Sequence, residues 1–319
     1  MIKSLRIKNF PISFFSAVLG LTGFTIALKR AEQFLDMPFT ISNILLAFGL
    51  AVFIAIAAVY LLKIIFFRED VSAELRHPVK INFFPTFSIS PLLFSVAFLP
   101  INPTISKYLW IVGIVFQLLF TIKVLTYWIQ SEHLQVTHMN PAWFIPVVGN
   151  ILVPAAGVEL FSKEISWFFF SIGIVFWVVL FSILFYRIVF HQPIVSKLLP
   201  TFFIMVAPPA IGFVSYVKLS GGLNDFSRVL YYFALFMSTL LLFQMKYIHK
   251  AVFYLSWWAY SFPVTALTIA SIVMFHSTNL IFFKIAGYAL LLILTGIILF
   301  LLVKTFTSIR DKQICIEEG

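Results

Sequence analysis

The chain has a single cysteine among its 319 residues, Cys315 near the C-terminal end, so neither a disulfide framework nor a cysteine-ligated metal site is available to it. Charge is scarce too. Only 11% of residues are charged, against roughly 25% in soluble domains, and only 12 of them are acidic. There is no HExxH, no carboxylate pair within an apolar run and no nucleophile beside a base. An enzyme is therefore not expected, nor a cofactor, a metal or a nucleic-acid partner, and the six histidines read as interfacial. The basic start, MIKSLRIKNF, precedes an apolar run that ends in Ile-Ala-Leu-Lys-Arg, without the small-x-small pattern of a cleaved signal peptide.

What the chain does have is apolar length. It is 61% hydrophobic with a mean hydropathy of +1.04, the composition of a polytopic membrane protein whose partner is the lipid bilayer. Ten stretches approach the roughly 20 residues a spanning helix needs: 10-28, 40-62, 79-99, 108-129, 141-161, 165-189, 198-219, 228-245, 252-275 and 279-303, followed by a short tail, 304-319. They form a single transmembrane domain over 1-319. Ten spans return the chain to its starting side. Of 22 Lys and Arg, seven (Lys29, Arg30, Lys107, Lys163, Lys218, Arg228 and Lys284) fall on one side, and the other fifteen mark the side holding both termini as cytoplasmic. Lys123, inside the fourth span, reads as snorkelling to that interface.

Proline placement carries the most information. Pro11, Pro85 with Pro91, Pro146 with Pro154, Pro208 with Pro209, and Pro263 fall in spans one, three, five, seven and nine, whereas the even spans have none inside. The odd spans also hold most of the small and hydroxylated residues, and they start near residues 10, 79, 141, 198 and 252, which suggests one helical hairpin repeated five times. The expected fold is an all-α membrane protein of five helical hairpins in quasi-five-fold arrangement. Kinked odd helices would form an inner ring lining a pore, with plain even helices outside, because broken backbone at membrane depth must be buried in protein or line a wet cavity.

The stretch 251-276, AVFYLSWWAYSFPVTALTIASIVMFH, shows the pattern in full. No Asp, Glu, Lys or Arg lies between Lys250 and Lys284, and Pro263 is expected to interrupt the helix near its middle beside Ser261, Thr265 and Thr268. Phe262 at that break reads either as an obstruction or as ordinary packing in a chain with 40 phenylalanines. The odd spans, all co-directional, would point their positive dipole ends at the cytoplasm, where Lys3, Arg6, Lys8, Arg76, His77, Lys80, His133, His138, His191, Lys197, Lys246, His249 and Lys250 cluster. Such a mouth concentrates anions. No ionisable residue sits at mid-depth in an odd span, which favours passive flow with weak discrimination over coupled transport.

Four segments, HPVKINFF (77-84), NPAWFIPVVGN (140-150), VAPPAIGFVSY (206-216) and WWAYSFPVTALTIASI (257-272), resemble the tellurite-resistance and dicarboxylate transporter family. It includes bacterial TehA-like proteins and the plant slow-type guard-cell anion channels. The resemblance spans the ten-helix region, with the segments in order on successive odd spans. It implies a homotrimer with one pore per subunit and Phe262 as the gate, with Ser16 beneath the ring where glycine is usual. Ser261, Pro263, Thr265, Phe83, Phe84, Asn150 and Pro208 are expected beside the gate or along the path, and Arg76, His77, Lys80 and His138 at the cytoplasmic mouth. The expected function is an anion channel in a bacterial-type inner membrane passing chloride, nitrate or similar monovalent anions. The alternatives are a carrier exporting C4-dicarboxylate, tellurite or sulfite, and a scaffold or sensor that moves nothing.

Overall fold

The computed structural model describes residues 6-35, 37, 40-245 and 253-315, and the described residues are helical with no strand. Ten segments are long and apolar enough to cross a membrane: Ile12–Phe34, Ser42–Phe66, Lys80–Phe98, Pro103–Gln130, Pro141–Leu160, Lys163–Phe190, Ser196–Ser220, Asp225–Phe243, Leu255–Thr278 and Ile281–Arg310. Burial divides them cleanly. In the odd spans 67 to 83% of the apolar stretch is buried, in the even spans 22 to 33%. Hydropathy alone does not make this division, which reflects how much of each span is buried in protein.

The odd spans follow one another in contact: the first packs on the third, the third on the fifth, the fifth on the seventh, the seventh on the ninth, and the ninth returns to the first. Each even span sits outside, touching its own odd partner and the next odd one; the tenth bridges the ninth and the first. Spans one and nine run in the same sense, since Gly20 meets Ser261 and, one turn on, Gly23 meets Thr265. Because lipid is as apolar as leucine, such contacts rest on close packing between small residues.

Every odd span begins as a 3₁₀ helix and continues as α: Ile12–Phe14 before Phe15–Phe34, Lys80–Phe83 before Pro85–Phe98, Ser196–Val206 before Ala207–Ser220, and Leu255–Tyr260 before Ser261–Thr278. The fifth runs 3₁₀, α and 3₁₀ again before its last α segment, Pro154–Leu160. This corrects the expected kink at Pro263. That proline is the third residue of its α segment, at the junction where 3₁₀ pairing gives way to α pairing, so it starts the α half instead of breaking one. Pro85, Pro154, Pro208 and Pro209 hold the same first-turn position.

The first helix runs through Lys29 and Arg30 to Phe34, past the boundary their charge suggested, because both side chains find partners there. Between spans two and three lies an amphipathic helix, Arg68–Arg76, that hydropathy left as a connection. Arg6, Phe10 and Cys315 line one cavity of about 150 Å³, which places both ends of the described chain on the same side.

Candidate functional site

The 3₁₀-to-α junction of the ninth span carries the residues singled out from sequence. Ser261 is fully buried and donates to the Trp258 carbonyl at 2.6 Å; Pro263 and Thr265 are buried as well. Phe262, between them, is only half-buried, and it belongs to the apolar cluster that holds Phe83, Phe84 and the half-buried Ile145, Ile204, Ile211 and Ile269. Ser16 is half-buried too, one turn before Gly20 on the first span. Of the residues expected beside the gate, Ser16 and Phe262 alone keep more than marginal exposed surface.

The others turn elsewhere. Asn150 has no exposed surface and aims its amide at the fourth span, donating to Thr121 Oγ1 at 3.0 Å and to the Val147 carbonyl at 2.8 Å. Phe84 stacks edge-on with Tyr60 and tilts against Phe120, both on even spans. Pro208 is buried in the first turn of its α segment. The hydroxyls of the odd spans mostly donate to their own helix: Ser90 to Thr86, Thr268 to Val264 and Ser271 to Leu267, at 2.7 to 2.9 Å. Each such bond satisfies a buried hydroxyl where no water is at hand. Thr22 Oγ1, Thr265 Oγ1 and Ser215 Oγ are buried without a hydrogen-bond partner among the described residues.

At the end bearing the termini, the expected mouth is basic, and Asp70 and Glu74 there each face a lysine. His77 Nδ1 accepts the N–H groups of Val79 and Lys80, and His138 Nδ1 accepts that of Gln135, so each ring caps a 3₁₀ turn. Arg76 is exposed, and its carbonyl accepts the Tyr127 hydroxyl; Lys80 is half-buried. Lys8 faces Asp70 at 3.7 Å. Lys63, 2% exposed, meets Glu74 Oε1 and the Phe10 carbonyl at 2.9 Å each, and Tyr60 donates to Glu74 Oε2. This buried pair locks helix Arg68–Arg76 to the entrance of span one. Of the expected mouth residues, Lys3, Lys246, His249 and Lys250, with the start of the 251-276 stretch, lie outside the described residues.

Sequence reasoning missed a second charged group at the opposite end, where spans one, five and seven finish. Lys218 donates to Glu159 and to the Ala155 carbonyl, both at 2.6 Å, and Lys29 reaches the Ala97 carbonyl at 3.4 Å. Lys29 thus caps the C-terminal end of the third span's helix, while Lys218 bridges spans five and seven. Among the described residues no three His, Cys, Asp or Glu side chains are placed to hold a metal ion.

A family model described as "Voltage-dependent anion channel" matches residues 9–306. The S-type anion channel SLAH3 of Arabidopsis thaliana is 31% identical over 271 residues, 83% of this chain and 43% of that protein. An uncharacterized transporter of Methanocaldococcus jannaschii is 28% identical over 306 residues, covering 88% of this chain and 87% of its own. The tellurite resistance protein TehA homolog of Haemophilus influenzae is 23% identical over 310 residues, 94% of this chain and 93% of that one. The chain spans about half the length of the plant channels SLAH3 and SLAH2 that it matches, 43% and 52% respectively.

Proposed function

We propose, from the premise that the chain belongs to the voltage-dependent anion channel (SLAC1) family, that it is a mostly closed anion channel with Phe262 as its gate. The observation that carries this reading is the half-exposure of Phe262 between buried neighbours, inside a closed cycle of five inner spans. A large ring in a narrow apolar passage bars hydrated ions by bulk and by dewetting. The inner spans have no ionisable residue at mid-depth, so nothing there binds a coupling proton or holds a counter-ion. Passive flow of small monovalent anions such as chloride and nitrate, weakly discriminated, follows from that chemistry.

We read the cycle of inner spans as quasi-five-fold and the channel as a homotrimer with one path per subunit, in an inner membrane with both termini cytoplasmic. Basic residues at the termini end, Arg76, Lys80 and the 3₁₀ starts capped by His77 and His138, would draw anions to that mouth. The test is conductance. Phe262→Ala in a planar bilayer or voltage-clamped cell is expected to give large currents that reverse near the anion equilibrium potential. An unchanged conductance removes Phe262 from the gate, and saturable, proton-coupled uptake in liposomes would make the protein a carrier.

A further inference from the structure

The end of the ring remote from the termini holds a cavity of about 150 Å³ lined by Lys29, Arg30 and Gln33 of span one, Ala97 and Pro100 at the end of span three, and Glu159 of span five. Every lining residue belongs to an inner span or to the turn directly after one. Its volume exceeds the roughly 30 Å³ share of one water several-fold, enough for a small anion with part of its hydration.

The charges around it are unevenly spent. Lys218 pairs with Glu159 Oε1 and also holds the Ala155 carbonyl, and the Glu159 charge acts on Arg30 as well. The nearby carboxylate of Glu32 is occupied by the N–H groups of Ile41 and Ser42 and the Ser42 hydroxyl. Lys29 has only long bonds, 3.4 Å to the Ala97 carbonyl and 3.5 Å to Asn43 Oδ1. Among the described residues Arg30 has a 3.4 Å contact to Gln33 Oε1 and a stacking contact with the Phe34 ring at 5.9 Å, which leaves most of its five donors unclaimed.

We infer that Arg30 and Lys29 form an anion-holding station at the far end of the path, taking a small inorganic anion and favouring oxyanions over halides. The preference comes from the guanidinium fork, which offers two parallel N–H donors to two oxygens, a geometry no spherical ion can use. The station rests on the reading of the ring as an anion path, and it adds a site that path needs at its exit: one that binds well enough to admit an ion and weakly enough to release it.

Equilibrium binding tests it independently of conduction. Purified protein in detergent is titrated with nitrate, replacing gluconate at constant ionic strength, and its melting temperature is followed. Wild type is expected to show a saturable rise. Arg30→Gln should weaken the apparent affinity at least tenfold, Arg30→Lys should retain a response while losing the preference for nitrate over chloride, and Arg310→Gln, on the exposed final helix turn, should titrate as wild type. If Arg30→Gln does not fold, Lys29→Gln is expected to weaken the response several-fold and serves instead. No saturable rise in wild type, or identical titrations in wild type and variant, overturns the station. Flux through Phe262→Ala without Arg30-dependent binding removes the station and keeps the path, whereas binding without flux keeps the station and removes the path.

Discussion

Gly20 on the first span faces Ser261 on the ninth so closely that a Cβ there would lie 2.8 Å from Ser261 Cβ and 3.0 Å from the Trp258 ring. The two residues fix the distance between the spans at the level of Phe262. Gly20→Ala must push Ser261 or Trp258 aside, an overpacking that costs about 1–3 kcal/mol. The expected result is a lower melting temperature together with a higher basal anion leak in liposomes, because the displaced residue adjoins the proposed gate. Gly296→Ala, on the tenth span with nothing within 4 Å, is the control and should change neither. Loss of stability without added leak would show that this contact does not set the gate.

Lys63 and Glu74 make the second prediction. Their side chains are 2% and 8% exposed, so removing one partner strands a buried charge. Glu74→Gln is expected to cost about 3–5 kcal/mol, while replacing both residues by leucine or methionine should cost much less than the sum of the single changes. Thermal or denaturant unfolding of the two singles and the double measures the coupling. Additive effects would mean the pair does not anchor helix Arg68–Arg76.

Much of this architecture is legible in the sequence, since prolines can sit in buried spans and are costly in lipid-facing ones; the placement of Pro11, Pro85, Pro146, Pro208 and Pro263 therefore marks the inner helices. The 3₁₀ halves are not legible, because a 3₁₀ turn and an α turn bury the same apolar residues and hydropathy cannot tell them apart. Helix Arg68–Arg76 escaped because its polarity reads as a loop unless one sees that Glu74 faces a buried lysine eleven residues upstream. The Arg30 station escaped for a related reason. The adjacent Lys29 and Arg30 are far in the chain from Glu159 and from Lys218, and only the closed cycle of odd spans brings their ends together. Asn150 was placed on the right span, but its side chain points toward span four, a direction that depends on the local helix phase within a segment that alternates between α and 3₁₀.

Cys315 gives a pH-dependent prediction. Burial pushes its thiol up from an ordinary 9.0 to about 11, against the opposing pull of the Arg6 and Lys63 charges. A raised value penalises the thiolate, and the thiolate is the nucleophile. At pH 8 the folded protein should therefore react with iodoacetamide about a hundredfold more slowly than an ordinary cysteine, with a rate that climbs about tenfold per pH unit toward 11. Denaturation should restore ordinary reactivity. Rapid labelling of folded protein at pH 7 would mean that the tail leaves the cavity it shares with Arg6 and Phe10.

The fourth span, lipid-facing by hydropathy, supplies the sharpest contrast between pattern and packing. Gln117 has no exposed surface: its Oε1 accepts the Ser88 hydroxyl of span three at 2.7 Å, and its Nε2 donates to the Pro146 carbonyl of span five at 3.0 Å. Thr121, one turn on, also reaches that carbonyl, at 2.7 Å, and accepts from Asn150. One outer helix thus ties two neighbouring inner helices together through side chains. Were the span held only by lipid-compatible surface, Gln117→Leu would be neutral or stabilising. With the node intact, the substitution removes two hydrogen bonds worth roughly 0.6–1.7 kcal/mol each in a membrane and leaves the Ser88 hydroxyl without its partner on span four. A loss of about 1–3 kcal/mol in thermal or denaturant unfolding is expected. Thr121→Val should lose less, since Gln117 still holds the Pro146 carbonyl, and the double variant should lose more than the two combined, because each side chain covers for the other at the same acceptor and only the double removes both. A leucine variant as stable as wild type would mean that spans three and five hold their spacing without the fourth.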